Sequence, residues 1–162
     1  MVFHQGSSFF PCVFMLYGAN SWLMKIHAGV NELRKGFLQN KNLAETDSLP
    51  TNYLLLFYAV ECGLKSIYLK RQSFRTTADI KGDLDHDISK WVKELRLSAT
   101  IKIELSSFRL TRNAKNNRLS SSSYSLSDAH QVWRYGIEMN SDDEKKLVQW
   151  LKEIKQWIEE NI

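Results

Sequence analysis

The chain reads as an all-α domain, a helical bundle of about four main helices plus one short helix, and three features of its 162 residues carry that reading. Apolar residues recur every three or four positions in three separate stretches, and one central stretch is apolar on every side. Strict alternation is confined to Ile101, Ile103 and Leu105, too little for a sheet. Composition agrees: 43% hydrophobic and 25% charged residues are the proportions of a globular domain, and a chain of this length buries a core without staples. The two cysteines, Cys12 and Cys62, exclude a disulfide scaffold. His4, His27, His86 and His130 lack the close spacing of a structural zinc site, so neither a metal nor another cofactor is expected. Glycine-rich phosphate loops and the nucleophile-elbow and zinc-protease motifs are missing as well.

Residues 1–19 contain the apolar run Phe9 to Tyr17 with no Lys or Arg before it, which does not fit a secretory signal and is too short to span a bilayer. They are expected to form an arm of a cytoplasmic protein that does not engage a membrane, with a single domain over 20–162. Trp22, Ile26, Val30, Leu33 and Phe37 line one face of a first helix over 21–37, capped by Asn20 or Ser21. The aperiodic stretch 40–50 is a connection, and its Pro50 sets the start of the next helix. Over 51–71 the run Tyr53 to Val60 has no polar face, which places this helix at the centre. Glu61 within it needs a counter-charge, and Lys65 one turn on can supply it.

A third helix carries Ile88, Trp91, Val92 and Leu95, with Asp85 as its cap and His86 in its first turn. Residues 98–126 read as an irregular, basic, Ser-rich loop in which Arg109, Arg112, Lys115 and Arg118 recur every three positions, a spacing suited to a phosphate backbone. The net charge is only +4, yet between positions 90 and 120 eight cations meet two acids. Ser125 to Asp128 starts a short helix bearing His130 and Arg134, which Gly136 ends. The last helix opens with a capping box at Ser141 to Glu144, and Leu147, Trp150, Leu151, Ile154, Trp157 and Ile158 form its apolar face. Trp22 and Trp133 are left as anchors for an interface.

The helix over 52–70 with Glu61 and Lys65, the His86-Asp87-Ile88 start and the late Ala129-His130-Gln131-Val132-Trp133-Arg134-Tyr135-Gly136 together resemble the HEPN domain of bacteria and archaea, over most of residues 20–160. That resemblance implies a small helical bundle that dimerises and works in toxin-antitoxin, phage-defence or RNA-processing systems. Active ribonucleases of that family carry an Arg followed four to six residues later by a His. Here Arg112 and Arg134 are followed by no such His; instead His130 precedes Arg134 by four. The first expectation is therefore a non-catalytic, HEPN-like homodimer that binds RNA or another nucleic acid through Arg109, Arg112, Lys115 and Arg118, or a partner protein such as an antitoxin. The alternative is a metal-independent ribonuclease with a rearranged site formed across a dimer: His130 as general base, Arg134 as stabiliser of the phosphorane, and His86 or Glu61 assisting.

Overall fold

A computed structural model describes residues 26–45, 49–82, 84, 86–102, 105–111 and 122–162. In chain order these contain α1 (Val30–Ala44), α2 (Pro50–Gln72), α3 (Ile88–Glu94), β1 (Phe108–Arg109), β2 (Ser123–Tyr124), α4 (Ala129–Arg134) and α5 (Ser141–Asn161). The all-α class is what the sequence predicts, with one small two-strand ladder added.

The axis of the domain is α2. Its Pro50 occupies the first helical turn, where a missing N–H costs nothing, and Ser73 ends it in the left-handed region at φ 55° with its N–H turned back on the Leu69 and Lys70 carbonyls. Leu56, Phe57, Val60, Leu64, Ile67 and Leu69 are all buried, and α1, α3, α4 and α5 each pack against this helix. The approach is closest at Gly63: a Cβ there would stand 2.6 Å from Ile158 Cγ2 and 3.1 Å from Phe37 Cδ2. One missing side chain thus lets α1 and α5 meet α2 at the same level.

Several boundaries differ from the sequence expectation, each for a local reason. The first helix begins at Val30 and runs to Ala44, through the first half of the stretch read as a connection. Residues 26–29 are extended, because Gly29 pairs with Thr76 and the Ala28 carbonyl accepts from Thr77 N–H. Glu32 then accepts from Gly29 N–H and fixes the helix start, while Ile26, expected on the apolar face, is exposed. Trp22 and the caps proposed at Asn20 and Ser21 lie outside the described residues. In α3 the cap is Asp87, whose carboxylate accepts from the N–H groups of Ser89 and Lys90. Asp85 lies outside the described residues, and His86 precedes the helix instead of sitting in its first turn. Asn140, not Ser141, caps α5 by accepting from Asp142 and Asp143 N–H.

The described parts of the stretch read as a loop over 98–126 are less irregular than its composition suggests. Ile101, Phe108 and Leu110 are buried, and Phe108 pairs with Tyr124, their rings stacked at 5.8 Å. Leu110 bridges Met139, the Glu138 carbonyl accepts from Thr111 N–H, and the Arg109 carbonyl accepts from Asn140 N–H, so residues 108–111 are strapped to the approach of α5. A partner for a short strand comes from residues 123–124 and 139, which sequence alternation cannot announce. Trp133 is also placed differently: it is buried and donates to Glu144 at 2.9 Å, an internal tie between α4 and α5 and not an exposed anchor.

Replacing Gly63 by Ala should force α1 or α5 outward. Urea unfolding of Gly63→Ala is expected to show a loss of about 1–3 kcal/mol, the usual cost of overfilling a packed contact.

Candidate functional site

Glu61 and Lys65 of α2 come together with His86 and His130 of the later elements. Glu61 faces inward, its side chain 8% exposed. A carboxylate at that depth requires partners. Lys65, one turn on, forms an ion pair with Glu61 Oε1 and is itself 18% exposed. On the other side His86 Nδ1 lies 3.0 Å from both carboxylate oxygens. An ionised carboxylate only accepts, so Nδ1 carries the proton and Nε2 is the nitrogen left available on His86. Trp91 lies across the Lys65 ammonium, 5.8 Å from ring centroid to Nζ, so the lysine is held by a ring and a carboxylate together.

His130 stands against this group. Its ring centroid is 5.3 Å from that of His86, at an interplanar angle of 37°, and 5.3 Å from Phe57. The Ser127 carbonyl accepts from Nδ1 at 2.7 Å, which fixes the tautomer and again leaves Nε2 as the free nitrogen. The turn at Leu126–Asp128, started by the Ser125 hydroxyl accepting from Ser127 N–H, puts that carbonyl in place. Burial pushes the His130 pKa down from 6.5. The Ser127 carbonyl and the Glu61 charge act the other way, while His86 and Arg134 add to the lowering. His86 is far more open, with a side chain 57% exposed.

Arg134 follows His130 by one turn on α4 and is exposed. Its guanidinium donates to the Tyr58 hydroxyl and lies over the Tyr58 ring at 5.9 Å. Tyr58, Glu61 and Lys65 all belong to α2, so a single helix positions the arginine, the carboxylate and the lysine. Two imidazoles with defined free nitrogens and a nearby cation are the parts of an acid-base site for a substrate that gains negative charge. Among the described residues no cluster of three His, Cys, Asp or Glu is arranged to hold a metal ion.

Of the residues singled out in the sequence, Glu61, Lys65, His86, His130 and Arg134 converge. The four candidate nucleic-acid contacts fare differently. Arg109 is committed elsewhere: its Nε and Nη2 donate to the two oxygens of the buried Asp143 at 2.9 and 3.0 Å, and its backbone N–H donates to the same carboxylate at 3.0 Å. The arginine accordingly holds the Asp143 pKa below 3.8. Arg112, Lys115 and Arg118 lie outside the described residues. Sequence reading missed Tyr58, because its run of neighbours is uniformly apolar and only the position of Arg134 gives its hydroxyl a role.

Glu61→Gln keeps the shape of the side chain but leaves Lys65 and His86 without their carboxylate. Chemical denaturation should show a loss of about 2 kcal/mol, below the full cost for a sealed ion pair because Lys65 reaches solvent. The lowered His130 pKa sets a second expectation. Above pH 6.5 the ring is neutral in both folded and unfolded chains and the contribution to stability is full. As pH falls below 6.5 the unfolded chain takes up a proton that the folded one resists, and stability drops until the folded pKa is passed. Urea midpoints measured from pH 7.5 downward should therefore fall less steeply for His130→Gln than for the wild type.

Comparison with protein-family models, with curated proteins and with solved structures finds no match to this chain.

Proposed function

We propose that this chain is a HEPN-like domain that cleaves RNA without a metal, through a histidine pair. The observation that supports the reading is the pairing of His86 and His130 at 5.3 Å, each fixed through Nδ1 by a different acceptor. The two sequence readings thereby change order. The binding reading leaned on Arg109, Arg112, Lys115 and Arg118, of which Arg109 is spent on Asp143 and the other three lie outside the described residues, whereas the catalytic reading leaned on His130, Arg134, His86 and Glu61, which meet.

In this mechanism neutral His130 accepts the proton of a ribose 2′-hydroxyl at Nε2 as the oxygen attacks the adjacent phosphorus. Its lowered pKa keeps the base form present at neutral pH. His86 enters the step as the imidazolium, its Nδ1–H on the Glu61 carboxylate, and gives the proton on its Nε2 to the departing 5′-oxygen. The bond from phosphorus to that oxygen breaks, leaving a 2′,3′-cyclic phosphate and a 5′-hydroxyl. Arg134, steadied by Tyr58, offsets the charge that builds on the phosphoryl oxygens. Glu61 and Lys65 are positioning residues, since they act through His86. Both proton transfers are supplied by side chains, so the reaction proceeds in EDTA. A second copy is not required to complete the histidine pair, in contrast to the site across a dimer expected from the sequence.

Incubation of the protein with single-stranded RNA in EDTA should yield cyclic-phosphate ends. His130→Ala and His86→Ala should each slow single-turnover cleavage by roughly a hundredfold to ten-thousandfold, the range for losing one positioned acid or base. The rate should rise with pH through the region below 6.5, as His130 loses its proton, and Arg134→Ala should lower it and move that limb towards higher pH, because the guanidinium adds to the lowering of the His130 pKa. Cleavage that persists in both histidine variants would return the chain to the binding reading.

A further inference from the structure

The far face of α5 carries a second site. A concavity of about 350 Å³ is lined by Lys102, Lys145, Lys146, Gln149, Trp150 and Glu153. Lys145 and Lys146 lie in the first two turns of α5, and Lys102 arrives from the segment that follows the buried Ile101. All three lysines are exposed, and none has an ion-pair partner among the described residues. Three of the acids near them are engaged: the Glu153 carboxylate accepts from Gln149, Asp143 holds Arg109, and Glu144 accepts from Trp133, while the exposed Asp142 offsets part of the charge. Three like charges drawn around one hollow, against the single carboxylate of Glu153 in its lining, make a field that favours an anion.

Trp150 adds an independent observation. It is 4% exposed, it lines the same hollow, and its indole N–H is a buried donor with no acceptor among the described residues. Buried donors are almost always satisfied, so an acceptor from outside the chain answers a need that the fold leaves open. Ammonium groups as point charges and a neutral N–H donor form the set that holds a phosphate group rather than a planar carboxylate, for which a guanidinium fork is better suited. Thr111, bonded to the Glu138 and Met139 carbonyls, fixes the chain beside the start of the same helix.

We propose that Lys102, Lys145, Lys146 and the Trp150 indole form a binding site for the phosphodiester backbone of single-stranded RNA, apart from the histidine pair. The site rests on the reading of this protein as one that acts on RNA, and it supplies the substrate grip that Arg109 does not.

The test is binding of a short, fluorescently labelled 2′-O-methyl RNA, which lacks the attacking hydroxyl and stays intact, read by anisotropy over a range of salt. The triple variant Lys102→Ala, Lys145→Ala, Lys146→Ala should bind on the order of tenfold or more weakly, with a log-log salt slope shallower by about 2, since each phosphate contact on a single strand contributes roughly 0.7. Trp150→Phe keeps an aromatic ring, smaller than the indole, and removes the donor; it should weaken binding several-fold and leave the salt slope unchanged. Thermal melts of each variant separate binding loss from unfolding. Unchanged affinity and slope in the triple variant would overturn the site, and unchanged affinity in Trp150→Phe would overturn the role of the indole. If poly-glutamate binds as tightly as the RNA and loses as much in the triple variant, the hollow is a docking place for an acidic protein and the RNA assignment falls. Because the probe cannot be cleaved, failure here leaves the histidine mechanism standing, and loss of that mechanism leaves this result readable.

Discussion

A helix with apolar side chains on every face has no side to give to water, and α2 is such a helix along most of its length. The remaining elements are arranged to cover it: α1 and α5 close on Gly63, α3 lies beside its second half, and α4 caps the face bearing Phe57. Covering a central helix removes apolar area from water on all sides at once, which makes it the largest single contribution available to a domain of this size. It also means that whatever polar groups α2 carries are brought into the interior with it.

Glu61 is the consequence of that arrangement. A buried carboxylate is costly alone, and here it is matched by one ammonium from its own helix and one imidazole from the turn before α3. Such an arrangement contributes little net stability compared with an apolar replacement of similar shape. What it provides is geometry: His86 is anchored through both carboxylate oxygens, and its ring is presented to His130. The two histidines then differ in their surroundings, one open to solvent and one buried against Phe57 and held by a main-chain carbonyl. Unequal environments are how two identical groups come to play opposite parts in a proton transfer.

Charge is handled in the same way at the start of α5. Asp143 and Arg109 close the ladder of β1 onto α5 with three hydrogen bonds, which turns a cation from a basic stretch into a structural clasp. The lysines around Trp150 have no such duty within the described residues. Basic composition by itself says nothing about which cations are spent and which are free, since the answer depends on acids more than thirty residues away.

Much of this was legible in the sequence, and the reason is periodicity. A 3.6-residue repeat reports its own buried face, so the all-α class, the central position of α2 and the apolar faces of α3 and α5 could be read from the chain alone. The pair Glu61 and Lys65 was equally legible, because i and i+4 are neighbours on any helix. Contacts between distant segments carry no such signature. The extended start at residues 26–29, the ladder of Phe108 with Tyr124, the clasp of Arg109 and the buried indole of Trp133 each depend on a partner supplied by another part of the chain. The meeting of His86 with His130 is of the same kind: the sequence named both residues, but only the packing of α3 and α4 on α2 set them 5.3 Å apart, because side-chain separation across helices is fixed by how the core fills and not by spacing along the chain.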